Sequence, residues 1–234
     1  IHVVRSRVEA VARALRAQGI KRLGIEAGRV SYEFVTALTR KVPELNAVPL
    51  NRTFLAGLRI RKSAKEKEAI RKAAHIASEA CGEILKIGIG GKRESEVAAE
   101  LETLFRRNGA DGIAFETIVA SGPRSALPHG APSDKVIADG ELVIIDYGCR
   151  CQGYHSDETV TCITGKPTSD QRRVHETVYE AHTRALDAVK EGKRTRQVDA
   201  AARQVIEKAG FGKFFLHGLG HGVGLEIHEP PTLS

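Results

Sequence analysis

The chain has 234 residues, 41% of them hydrophobic and 28% charged, with a formal net charge of +7. That is enough for one large globular domain, or for a small one and a medium one. No run approaches the ~20 apolar residues a membrane span needs and no signal peptide opens the chain, so a cytoplasmic protein without membrane contact is expected. The positive residues are scattered and aromatics reach only 5%, so neither a phosphate-collecting stripe nor a stacking platform forms, and nucleic acid is not an expected partner. Ile1 is not an initiator and methionine is absent, which reads as an incomplete product. The four cysteines (Cys81, Cys149, Cys151, Cys162) make no C-x-x-C pair, and reduced packing thiols are the expectation even for Cys149 and Cys162, which flank one hairpin.

Residues 1–58 read as α/β. Val4, Val8, Val11, Ala12 and Leu15 recur at helical spacing, RLGIEA reads as a short buried strand, and Ser31 caps a helix running to about Lys41. NAVPL is the next strand. The alternation predicts parallel pairing, in a segment too short for a comfortable domain of its own. It reads as the remnant of a larger amino-terminal domain. A boundary falls near Leu58–Lys62, which gives domains of 1–58 and 59–234.

Ser63 and Glu66 then form a capping box for a long helix with Ile70, Ala74, Ala77, Cys81 and Leu85 on one face. A second helix spans about Glu94–Arg107 and stops at Gly109. FETIVAS reads as a strand, SGPRSALPHGAPSD as a loop, and LVIIDYGCRCQGYHSDETVT as a β-hairpin. Thr168 and Gln171 make another capping box, before a helix to about Glu191. The stretch from Gly192 to Gly210 repeats Gly91 to Gly109 at a constant offset of 101, with six of nineteen positions identical. Two α-α-β halves related by a pseudo-twofold explain this spacing.

The chemistry lies in the hairpin and in a later glycine-rich stretch. Asp146 and Asp157 are expected to face each other across a turn centred between Cys151 and Gln152. Their side chains would share one face with Cβ atoms ~5 Å apart, a spacing that suits a pair of divalent cations. An aspartate ending the apolar run Leu142–Ile145 is costly unless a partner or a cation compensates it. HGLGHGVGLEIHE carries His217, His221 and His228. Its alternating glycines exclude a helix and let the backbone approach a metal or substrate closely. In a strict strand His217 and His221 share a face and His228 points away, so joint action requires a bend or bulge. His129, in a loop stiffened by Pro128 and Pro132, is a candidate proton donor or substrate contact. GIGGK fails as a phosphate loop, no G-x-S-x-G elbow exists, and Ser121 and Ser125 read as ordinary loop serines.

In these stretches, ASGPRSALPHGAPSD, IDYGCRCQGYHSDETVT and HGLGHGVGLEIHEPP, the chain resembles the pita-bread metallopeptidases, and within them the Xaa-Pro peptidases. The resemblance covers about residues 59–234. It implies an α+β pita-bread (creatinase/aminopeptidase-like) fold of pseudo-twofold halves and an Xaa-Pro aminopeptidase or dipeptidase. It also implies a homodimer and a dinuclear centre of manganese, cobalt or zinc whose bridging hydroxide attacks the scissile carbonyl. Carried over, Asp146, Asp157 and His221 are three of five metal ligands, His129 and His228 contact the substrate and protonate or stabilise its tetrahedral intermediate, and His217 lines the pocket. The family's other two ligands are glutamates on strands beyond HEPP. Glu226 and Glu229 do not occupy those positions, so the domain reads as truncated and the isolated chain as inactive.

Two other readings stay open at this stage. A methionine aminopeptidase shares the fold and the H-G-x-G segment, and would prefer Met-Ala over Ala-Pro peptides. A non-catalytic peptide-binding module of the same fold would lack the aspartate pair, which is present here.

Overall fold

The structure is a computed structural model describing residues 6–234, apart from the side chains of residues 52 and 53. Val4, placed on the first helix by its spacing, lies outside the described residues. The chain divides into two compact units that meet between Arg59 and Ile60.

In the first unit, α1 (Arg7–Ala17) is capped by Ser6, α2 (Tyr32–Lys41) is capped by Ser31, and the strands β1 (Arg22–Ile25) and β2 (Asn46–Pro49) pair in parallel. Ala12, Leu15, Leu38, Val42 and Leu45 form its small core. The unit ends in α3 (Arg52–Arg59), a helix the sequence reading did not anticipate.

The second unit opens with α4 (Ala64–Ile87), whose capping box is complete: Glu66 N–H donates to Ser63 Oγ, and Ser63 N–H donates to a Glu66 carboxylate oxygen. Its buried face is Ala69, Ala73, Ile76, Ala77, Ala80, Cys81 and Ile84. The expected stripe of Ile70, Ala74 and Leu85 follows the edge of this face, and Leu85 is 38% exposed. Four of these seven are alanines, which let the helix lie close on its neighbours. α5 (Glu94–Arg107) follows.

Next come β3 (Gly112–Ile113), β4 (Ile118–Ser121), a 3-10 turn (Gly122–Ala126), and strands β5 (Leu142–Tyr147), β6 (Cys149–Cys151), β7 (Tyr154–His155) and β8 (Glu158–Ile163). β4-β5-β8 form one antiparallel sheet and β3-β6-β7 another. Alternation along β5 divides the sheet: Val143, Ile145 and Tyr147, with Val119 of β4, join α4 and α5 in the main core, where Leu101 and Phe105 are wholly buried. Burying each such side chain contributes about 1.5–3 kcal/mol. Ile144 and Asp146 point from the opposite face.

α6 (Ser169–Ala188), again with a full capping box, and α7 (Thr195–Lys208) begin the second half. α7 matches α5 position for position: both have 14 residues, and the glycines at either side, Gly91 and Gly109 against Gly192 and Gly210, all have positive φ. Val97, Ala98, Leu101 and Phe105 are buried on α5, and Val198, Asp199, Ala202 and Ile206 at the same offset on α7. The chain then forms the antiparallel pair β9 (Gly220–Gly222) and β10 (Glu229–Leu233). All four cysteines are free thiols. No helix among the described residues is long and apolar enough to cross a membrane.

Candidate metal centre

The aspartate hairpin is built by its turn. β6 and β7 pair Arg150 with His155 and Cys151 with Tyr154, leaving Gln152 and Gly153 as the two turn residues. Both have positive φ, 53° and 80°, the mirror-type turn whose twist matches that of the flanking strands. The expected turn between Cys151 and Gln152 would have required this backbone of a β-strand cysteine. The register is therefore displaced: Asp146 faces Thr159, and Ser156 N–H bonds the Cys149 carbonyl, which sets Asp157 level with Gly148. Asp146 and Asp157 are diagonal neighbours, not a directly opposed pair. A displacement of two residues preserves the face, so both carboxylates still project from the side opposite the core.

Gly148 is the tight point of this hairpin. A Cβ there would collide with the Ser156 carbonyl oxygen, so only glycine lets the strands pass this closely. Thr159 donates its hydroxyl to Asp146 at 2.8 Å, so the residue opposite the first aspartate fixes its carboxylate. Burial raises the Asp157 pKa, and the neighbouring charge of Asp146 raises it further, against smaller opposing effects of His221 and His228. Two half-buried carboxylates that repel each other form a donor set that a cation relieves.

The glycine-rich stretch supplies the imidazoles. β9 and β10 pair Gly222 with Glu229 and His221 with Thr232, with an irregularity between Glu229 and Thr232. The chain between the strands bends back on itself and brings the His228 ring to 4.3 Å, centroid to centroid, from His221. This is the bend that joint action of the two histidines required. His221 Nε2 lies 3.2 Å from Asp157. His155 joins hairpin to stretch, its backbone N–H and its ring Nδ1 lying 2.9 and 3.0 Å from the Gly224 carbonyl oxygen. Buried Glu229 anchors the end of the turn, pairing with Lys62 at 2.9 Å and accepting the Glu226 N–H.

Asp146, Asp157, His221 and His228 thus converge. His217 precedes β9, is exposed, and sets its ring edge-on to Phe215 at 5.3 Å. His129 is exposed in the loop after β4. Among the described residues no group of three or more His, Cys, Asp or Glu is gathered as a ready cation cage.

The residues that hold these groups carry little local signal of that role. Thr159 and His155 follow from register alone. Asp199, buried on α7, accepts Arg203 at 2.8 and 3.0 Å and the Leu219 N–H at 3.1 Å, while Arg203 donates to the Phe215 and His217 carbonyls. Only an acidic residue at a core position of the repeat marked it.

The helices laid on one sheet face, the doubled helical pairs and the acidic-imidazole cluster on the open face define the pita-bread class. The chain belongs to metallopeptidase family M24, whose pattern matches residues 68–234. It is 46% identical over 214 residues to the Xaa-Pro dipeptidase of Pyrococcus furiosus, an alignment covering 91% of this chain and 60% of that protein. Among solved structures, the X-Pro aminopeptidase of Thermotoga maritima superposes with a TM-score of 0.92 at 36% identity, covering 99% of this chain and 66% of that one. The Xaa-Pro dipeptidase of Bacillus anthracis superposes at 0.93 and 38%, covering 97% and 63%. The chain spans about three-fifths of the length of the curated relatives it matches.

Proposed function

We propose that this chain carries the core of a metal-dependent exopeptidase that removes the amino-terminal residue from peptides with proline in second position. Asp146, Asp157 and His221 are three of its metal ligands. The carrying observation is the convergence of two same-face aspartates with His221, 3.2 Å from Asp157, in a chain similar to Xaa-Pro dipeptidases. Two divalent ions, manganese first and cobalt or zinc as alternatives, would supply Lewis acidity here, acidifying water and polarising a carbonyl.

The chain's own groups do the remainder. Thr159 orients Asp146. His228, its ring tilted against that of His221, would hold a proton at its ring nitrogen near the leaving amine, and His129 would stabilise charge on the carbonyl oxygen. His217 contributes to the pocket wall. Proline selectivity reflects the missing N–H and fixed ring of that residue.

The assignment of 1–58 to an amino-terminal domain and 59–234 to the catalytic domain belongs to this reading, as do a homodimer and a cytoplasmic setting, which four free thiols suit. The 234 residues offer three candidate ligands against five in the family's centre, so alone they are expected to bind manganese weakly and to turn over poorly. The test is hydrolysis of Ala-Pro and Arg-Pro-Pro against Met-Ala peptides by the protein at its native length, with and without Asp157→Asn. Preference for Met-Ala, or unchanged activity in the variant, would overturn the proposal.

A further inference from the structure

Glu94, the first residue of α5, is wholly buried and takes no part in the candidate centre. Its carboxylate accepts five hydrogen bonds. One oxygen accepts the backbone N–H and the hydroxyl of Ser121, both at 2.8 Å. The other accepts the N–H and hydroxyl of Ser133, at 3.1 and 2.7 Å, and Arg124 Nε at 3.1 Å. Ser121 ends β4 and Ser133 lies at the far side of the loop that carries His129. A single side chain therefore ties both ends of that loop, and Arg124 braces it across the middle by donating to the Ala131 carbonyl at 2.6 Å.

The loop held this way folds back over the catalytic side of the sheet. Ala120 pairs with Ile144, which shares a face with Asp146. A Cβ on Gly130 would come within 3.3 Å of Ala120 Cβ, so the loop backbone rests on that same face, one residue from His129. A buried carboxylate is costly unless fully hydrogen-bonded. Burial works against ionisation of Glu94, but the Ser133 and Ser121 bonds outweigh it and keep the carboxyl below its ordinary range. Five donors on one ionised acceptor make a rigid node, since charge-assisted bonds are the stronger ones.

We infer that Glu94 is a positioning residue that sets His129 over the aspartate face by clamping both ends of the 122–132 loop. The catalytic part of this inference rests on the peptidase reading above; the clamp itself does not.

The test compares Glu94→Gln, His129→Ala and the double variant in the metal-loaded protein at native length, together with hydrogen exchange. Glu94→Gln keeps the volume but presents an amide donor where Ser133 and Arg124 also donate. Amides of residues 122–133 are expected to exchange at least tenfold faster, with β5 and β8 unchanged. kcat/KM is expected to fall about tenfold to a hundredfold, the scale of a misplaced group, at unchanged metal content. The double variant should be no slower than His129→Ala alone, because Glu94 acts through that residue. Ser133→Ala, which removes one bond of the five and leaves the charge paired, should give a weaker loosening of the same loop if Glu94→Gln fails to fold. Unchanged loop exchange in these variants, or losses that multiply in the double variant, would overturn the inference. A wild-type protein without Xaa-Pro activity but with the expected exchange pattern would overturn the peptidase reading instead.

Discussion

His155 and Gly224 are joined twice, the backbone N–H and the ring Nδ1 of His155 both meeting the Gly224 carbonyl oxygen. This is the direct tie between the strand that leads into Asp157 and the turn that carries His228. Replacing His155 with alanine keeps the backbone bond and removes the ring bond. A lost hydrogen bond of about 1 kcal/mol should speed exchange of the Gly220–Gly222 amides roughly fivefold and weaken manganese binding by a similar factor. Unchanged exchange there would show that the ring bond does not set the spacing.

Gly148→Ala should be far more damaging than its chemistry suggests. The new methyl group would meet the Ser156 carbonyl, a backbone atom with no freedom to withdraw. The cost is expected to exceed about 3 kcal/mol, in the range of severe backbone effects, and to appear as a large fall in Tm or as failure to fold. A variant melting within a few degrees of wild type would mean that the strands separate cheaply.

Asp157→Asn should act in opposite directions without and with metal. In the metal-free protein it removes a charge that burial and Asp146 disfavour, so Tm should hold or rise. In saturating manganese the wild type should gain stability by linkage and the variant should not. Differential scanning calorimetry on both proteins reads both signs, and an equal gain in the variant would exclude Asp157 as a ligand.

Asp199 makes acid stability testable. The Arg203 bond, reinforced by the Arg203 charge and the Leu219 N–H, outweighs burial and lowers its pKa in the folded state. A depressed carboxylate contributes stability that is complete above its unfolded pKa and lost as pH falls through the folded one. Urea unfolding between pH 6 and about pH 2.5 should therefore show a steeper loss for wild type than for Asp199→Asn below about pH 4. Parallel curves would indicate that Asp199 ionises alike in the folded and unfolded chains.

Much of this architecture was readable because local signals agreed with the fold. Capping serines at positions 31 and 63 and Thr168 mark the helix starts to the residue, whereas the helix expected to run to about Glu191 stops at Ala188. The aspartates, His221 and His228 were visible as chemistry before any geometry. Direct opposition of the aspartates implies a different register from the one formed, because the backbone demands of Gln152 and Gly153 decide the turn. The apolar stripe predicts a rotated α4 because alanine carries little hydrophobic signal, yet four alanines line its buried face. Glu94 escaped notice because an acidic residue in a first helical turn ordinarily serves the helix dipole, and nothing local announces that Ser121 and Ser133 arrive from elsewhere to bind it.

The matched connectors have a mechanical consequence. Residues 88–93 lead into α5 and residues 189–194 into α7 by paths of equal length, and each helix then turns a buried acid, Glu94 or Asp199, toward the chain it secures. Deleting one residue early in either helix would swing everything after it by about 100° and carry its inward-facing side chains out to solvent. Frame-preserving indels in these two stretches should therefore be much less tolerated than substitutions, and the tolerance map of one half should overlay that of the other when shifted along the chain.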